Sequence, residues 1–240
     1  MNTRRRHVRA IFINEVRELR RNRSLIVGMA IFPAVFCIQP LVQVLLLSSS
    51  ASTGLRSEHV LLYMLGIPAL VPSFIAAYSV VGERQQGTLE PVLTTPILRE
   101  ELLLAKALAA LIPSVAIAYI VFGLFLICVE FFASPGVATA LIRLPDLLAQ
   151  LAFTPLLAGF SIWAAILIST RSNDVRVAQQ LAVLANLPPI AVTTLIAFNV
   201  IPASLTTALV AAATLLVLDA AGWRIVAAAF DREKLITGTH

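Results

Sequence analysis

The sequence predicts an all-α polytopic membrane protein in which six transmembrane helices follow an amphipathic helix at the membrane interface. Three observations lead there. Of the 240 residues 59% are hydrophobic and only 13% charged, whereas soluble domains carry about one quarter charged residues. The few charges leave long charge-free runs between them, and the cations are shared unequally among the segments separating those runs. A water-soluble globule is excluded, while six spans of about 20 residues would fill about half of the chain.

The elements follow in chain order. Residues 1–24 read as a cytoplasmic amphipathic helix: Val8, Ile11, Phe12, Val16 and Leu19 recur at helical spacing, while Arg9, Glu15, Arg17 and Glu18 point elsewhere. Such a helix rests on the inner leaflet with its arginines among the headgroups. Charge-free runs then cover residues 25–47, 60–82, 107–129, 147–170 and 177–218. The last has 42 residues, twice the need of one crossing, and Asn199-Val200-Ile201-Pro202 supplies a turn near its middle. The predicted spans are therefore 25–47, 60–82, 101–129, 147–170, 177–198 and 203–222, all within a transmembrane domain 25–222, with a tail at 223–240.

Orientation comes from the cations. Eight of eighteen Lys and Arg precede the first span, and alternate segments sum to sixteen against two. By the positive-inside rule both termini lie in the cytoplasm of a multi-pass protein. The net charge of +5 is therefore an orientation and anionic-lipid signal, not a nucleic-acid site. No cleavable signal peptide is apparent, because the basic start runs into a full-length span.

Enzymatic patterns fail. There is no HExxH, no GxSxG and no acid pair within a span, and His7, His59 and His240 fall outside the membrane core. Cys37 and Cys128 have no neighbour at metal-ligand spacing and read as packing residues. No metal site or bound cofactor is expected. The segment Gly82-Glu83-Arg84-Gln85-Gln86-Gly87-Thr88 imitates phosphate-loop spacing, but the phosphate-reaching lysine is missing and a membrane span precedes it.

The same segment carries the most specific signal in the chain. Glu83, Arg84, Gly87, Thr88, Leu89, Glu90, Leu93, Thr95, Pro96 and Lys106 follow the pattern E-R-E-x-G-T-L-E-x-L-L-x-T-P and its closing lysine, with Gln85 in place of the usual acid. This resembles the loop between spans 2 and 3 of ABC-2 type permeases, the membrane subunits of one class of ABC exporter. The resemblance implies a type V exporter-like architecture in a prokaryotic cytoplasmic membrane. It implies a non-catalytic subunit that forms the export pathway with a second permease, identical or related. Cytoplasmic ABC ATPase subunits would bind ATP and Mg and dock at the coupling loop, residues 83–100. A short helix along the membrane over 83–93 is expected, with Leu89, Val92 and Leu93 as an apolar knob, Thr95 as the next cap and Pro96 at the next helix start.

Polar residues within spans are the candidates for the pathway or the dimer interface. Gln39 and Gln43 lie one turn apart on span 1; Ser73 and Tyr78 are on span 2, and Pro188, Pro189 and Thr193 on span 5. Freed carbonyls beside Pro188-Pro189 need protein or a wet cavity, which makes span 5 a pathway or dimer-facing helix. Asp219 is expected near the cytoplasmic end of span 6, Glu130 at the outer mouth of span 3, and Asp146 as the cap of span 4. No acid is thus expected at the midplane, as ion-coupled transport would require. Short external loops leave recognition to the membrane interior, and an apolar pathway with scattered amides and hydroxyls suits amphipathic or lipid-like cargo.

Overall fold

A computed structural model describes residues 2–21, 23–46, 59–87 and 98–229. All regular elements among these residues are helical. Helix α1 (Asn2–Arg21) is followed by α2 (Arg23–Leu46), which carries Pro33 and Pro40 inside it. A 3-10 turn, Val60–Leu65, leads directly into α3 (Gly66–Gln86). Then come α4 (Arg99–Phe132), the short α5 (Pro135–Leu141), α6 (Leu144–Arg171), α7 (Val175–Ala185), α8 (Leu187–Ala197) and α9 (Leu205–Ala229).

Five segments are long and apolar enough to cross a membrane: Val60–Gln86, Glu100–Phe132, Leu144–Arg171, Val175–Ala197 and Leu205–Ala229. Within α2 the apolar stretch Met29–Val42 is shorter. The chain is a multi-pass helical membrane protein. Its centre is α3: 89% of the apolar window in that segment is buried, against 6% for α9, which lies at the periphery.

Small residues bring α3 and α6 together. Ser161 Oγ donates to the Ala69 carbonyl at 2.6 Å, and two turns on Ser169 Oγ donates to the Ala77 carbonyl at 2.6 Å. Ser169 Oγ also accepts from the Val80 and Val81 amides at 3.2 and 3.0 Å, so it sits inside the α3 ladder. Both contact series advance by eight residues, which makes the two helices parallel. Without a hydrophobic driving force in lipid, such close approaches and interhelical hydroxyl bonds hold helices together. Pro155 in α6 leaves the Leu151 carbonyl without its helical donor, and the Tyr119 hydroxyl of α4 supplies one at 2.9 Å.

Helix ends differ from the charge-free runs. The last helix continues to Ala229, seven residues beyond the expected 222, so Asp219 lies in its middle rather than near its end. Ala220, Ala221 and Ala227 to Ala229 are strong helix formers, and the charges within them stop the apolar run without stopping the helix. Asp146 is not the cap of α6: Arg143 occupies that position in extended conformation, Pro145 sits in the first turn, and no side chain caps the end. Ahead of Pro188-Pro189 the ladder breaks at Asn186, a fully buried residue that ends α7 and begins α8 while its amide donates to the Ala182 carbonyl at 2.7 Å. The turn after α8 uses Asn199 at φ 57°, with the Val200 and Ile201 amides both bonded to the Leu195 carbonyl.

Candidate functional site

The motif begins inside a helix. The α3 ladder is unbroken through Gln86, and Gly87 closes it at φ 69°, its N–H bonding the Arg84 and Glu83 carbonyls. Glycine adopts this left-handed end without strain. Residues 83–86 are therefore the last turn of α3 rather than the start of a separate helix over 83–93. Thr88, Leu89, Glu90, Val92, Leu93, Thr95 and Pro96 lie outside the described residues. The next helix starts at Arg99 behind an extended Leu98, with Glu100 and Glu101 in its first turn, where acids complement the helix dipole.

The last turn of α3 is tied to three other elements. Lys106, the eighth residue of α4, is completely buried, and its ammonium donates to Glu83 Oε1 at 2.6 Å, Glu15 Oε1 at 2.7 Å and the Ser79 carbonyl at 2.8 Å. All three ammonium donors are thereby used. Glu15 comes from α1, Glu83 and Ser79 from α3, so one cation joins three helices. Leu19, Ile75, Tyr78, Ala109 and Ala110 complete the lining of the small recess around it. On the opposite flank Arg84 donates to the Ser172 and Thr170 carbonyls at 3.3 and 3.2 Å, satisfying the open C-terminal end of α6. Gln85 Nε2 donates to the Asn173 carbonyl at 3.0 Å, and Gln86 Nε2 to the Tyr78 hydroxyl.

Glu15 was not expected here. The sequence pattern places it off the apolar face of α1, but the structure turns it inward, with Ile11 and Leu19 packed against the core on either side. A signal was present: 8, 11, 12, 15, 16 and 19 form one unbroken helical stripe, and Glu15 is its only charged member. Lys106 was expected to open the third span, but without a partner. Glu83 faces this buried cluster and not solvent, so Glu83→Ala breaks a buried ion pair and is no clean probe of partner docking.

The other predicted residues separate. Buried Ser73 donates to the Leu70 carbonyl at 2.6 Å and half-buried Thr193 to the Ile190 carbonyl at 2.9 Å, so both hydroxyls are turned onto their own helices. Pro188 and Pro189 occupy the first turn of α8. Gln39 and Gln43 belong to α2, and their side chains lie outside the described residues. A second polar cluster occupies the other end of the bundle: His59 Nδ1 is 2.6 Å from Asp146 Oδ1, and Arg143 lies 3.1 Å from Asp146 Oδ2, close enough for an ion pair though not aligned as a hydrogen bond. With the His59 amide bonded to the Ala197 carbonyl at 2.8 Å, this cluster joins the starts of the second and fourth expected spans to the end of the fifth.

A family model described as ABC-2 family transporter protein matches residues 9–233. The chain belongs to the ABC-2 transporter family. No curated protein matches it. The match begins within α1 and covers every later helix described above, and with the apolar helices it makes the chain a transmembrane permease subunit of an ABC transporter, a partner of ABC ATPase subunits. In this permease Glu83 and Lys106, 23 residues apart, meet at one hydrogen-bonded point.

Proposed function

We propose that this permease exports an amphipathic or lipid-like substrate across a prokaryotic cytoplasmic membrane. It works with a second permease, identical or related, and with cytoplasmic ATPase subunits docked at residues 83–100. The membrane crossing in this reading uses six spans, α2 being the first, with both termini cytoplasmic as the sixteen-to-two cation distribution favours. Helix α1 lies at the inner interface.

The observation that carries the coupling role is the Lys106 cluster. The loop leaves α3 at Gly87 and returns to α4 at Arg99, and Glu83 and Lys106 clamp the two helices together just beyond it. A displacement of the loop therefore reaches α3 and α4 with little slack, and Glu15 carries it on to α1. ATP binding on the partner subunits biases two arrangements of these helices, as any coupled transition requires. Glu83 and Lys106 act as positioning residues, whereas Leu89 and Leu93 supply the docking contact.

Affinity purification in mild detergent tests the partnership: a stoichiometric ATPase is expected with the full chain. Leu89→Asp puts a charge into the apolar docking contact. It is expected to remove substrate-stimulated ATP hydrolysis and transport while the permease keeps its elution profile and helical circular dichroism. Wild-type transport by this variant would overturn the docking assignment.

A further inference from the structure

Asp219 is the fifteenth of the twenty-five residues of α9, and Gly159 the sixteenth of the twenty-eight of α6. The two meet: a Cβ built on Gly159 would lie 3.0 Å from Asp219 Oδ2 and 3.1 Å from Oδ1. The carboxylate thus rests against the bare backbone of α6, and its Oδ1 is buried with no hydrogen-bond partner among the described residues. One turn further along both helices Trp163 and Trp223 pack edge to face with centroids 5.4 Å apart. Gly222 makes room for them, since a Cβ there would lie 2.7 Å from that of Trp163.

A carboxylate in the middle of a transmembrane helix is costly and calls for a partner. Lys106, the buried cation, has all three donors engaged elsewhere, and Arg224 on α9 is exposed. Among the described residues no group of three His, Cys, Asp or Glu stands ready for a metal ion. What the seam offers beside Asp219 is instead the two indoles one turn further along and, on the open flank of α9, the exposed Leu216, Val217 and Leu218. An anionic oxygen beside aromatic rings recognises an organic ammonium by charge and by cation–π attraction, and the apolar flank receives an alkyl body.

We propose that the seam between α6 and α9, formed by Asp219, Gly159, Trp163, Gly222 and Trp223, binds amphipathic organic cations entering sideways from the bilayer. That such a ligand is cargo rests on the export function proposed above; that it binds does not. Trp163 and Trp223 are the only tryptophans of the chain, so indole emission of the full chain reports on this seam alone. The full chain in phosphatidylcholine nanodiscs is titrated with dodecyltrimethylammonium below its micellar concentration. A saturable change in emission is expected, with half-saturation raised by about tenfold or more in Asp219→Asn, equivalent to about 1.4 kcal/mol, and nearly unchanged in Asp219→Glu. Neutral dodecyl maltoside of the same chain length should give no saturable change. An Asn variant that titrates like wild type, equal responses to the two amphiphiles, or no titration because a second copy covers the seam would each overturn the proposal. If Asp219→Asn does not fold, the comparison of the two amphiphiles on wild type decides. Binding without transport would count against the proposed export of such cargo and leave the site standing.

Discussion

Lys106 and Asp219 are both charged residues within transmembrane helices, and the protein treats them in opposite ways. Lys106 has no exposure, three acceptors within 2.8 Å and carboxylates from two different helices. Asp219 is half-buried on the most peripheral helix, against a glycine, with a buried oxygen that no described residue satisfies. A buried charge that is completely paired holds elements in register, because removing any partner strands the others. A charge left open at a helix seam holds nothing together and is available to something that arrives. The first arrangement suits a mechanical joint beneath the loop proposed to meet the ATPase, and the second a recognition point within the bilayer.

The largest expected effect separates the two directly. Lys106→Met leaves the Glu15 and Glu83 carboxylates buried without their cation, a change of about 3–5 kcal/mol. A large loss of thermal stability in detergent is expected, together with release of α1, read as increased proteolysis within Asn2–Arg21. Adding Glu15→Gln and Glu83→Gln removes the stranded charges, and the triple variant should regain most of the stability without regaining coupled ATP hydrolysis. If Lys106→Met were as stable as wild type, the cluster would not be the joint. Asp219→Asn, by the same comparison, should leave the melting temperature nearly unmoved.

The difference between these regions was only partly legible in the sequence. Charge-free runs locate the apolar parts of helices well, because a lipid-facing surface tolerates no charge. They do not locate helix ends: Glu83 to Gln86 continue α3, Glu130 to Phe132 continue α4, and Asp219 to Ala229 continue α9. The backbone stays helical wherever its ladder remains closed, and these segments contain neither proline nor glycine that breaks it. The motif was legible as residues but not as geometry. Glu83 and Lys106 lie 23 positions apart, and nothing in their spacing says that two antiparallel helices bring them face to face. Glu15 could have been found from its place in the α1 stripe, whereas Asp219 could not have been placed without the true end of α9. For residues 88–97 the docking role rests on the motif alone.

An intermediate effect tests how tightly the joint is packed. Gly82 precedes Glu83, and a Cβ there would lie 2.5 to 2.7 Å from the ring of Tyr78, which lines the recess around Lys106. Gly82→Ala must displace that ring and with it the contact to Gln86. Overpacking of this kind costs about 1–3 kcal/mol, read as a lower melting temperature and weaker coupling of ATP hydrolysis to substrate.

The smallest effect belongs to the open seam. The atoms nearest a Cβ at Gly159 are those of the Asp219 tip, at 3.0 to 3.2 Å, and a carboxylate on a peripheral helix can move aside by a few tenths of an ångström. Gly159→Ala should therefore shift stability by less than about 1 kcal/mol, below the usual range for overpacked cores, while weakening dodecyltrimethylammonium binding because the methyl group displaces the carboxylate from its seat. The same chemical change, one methyl group for one hydrogen, is then read at two glycines. At Gly82 it lowers stability and coupling together; at Gly159 it alters binding and leaves the fold in place. A melting temperature that falls as far for Gly159→Ala as for Gly82→Ala would show the α6–α9 seam to be packed as closely as the joint, and the distinction between a clamped and an open charge would be lost.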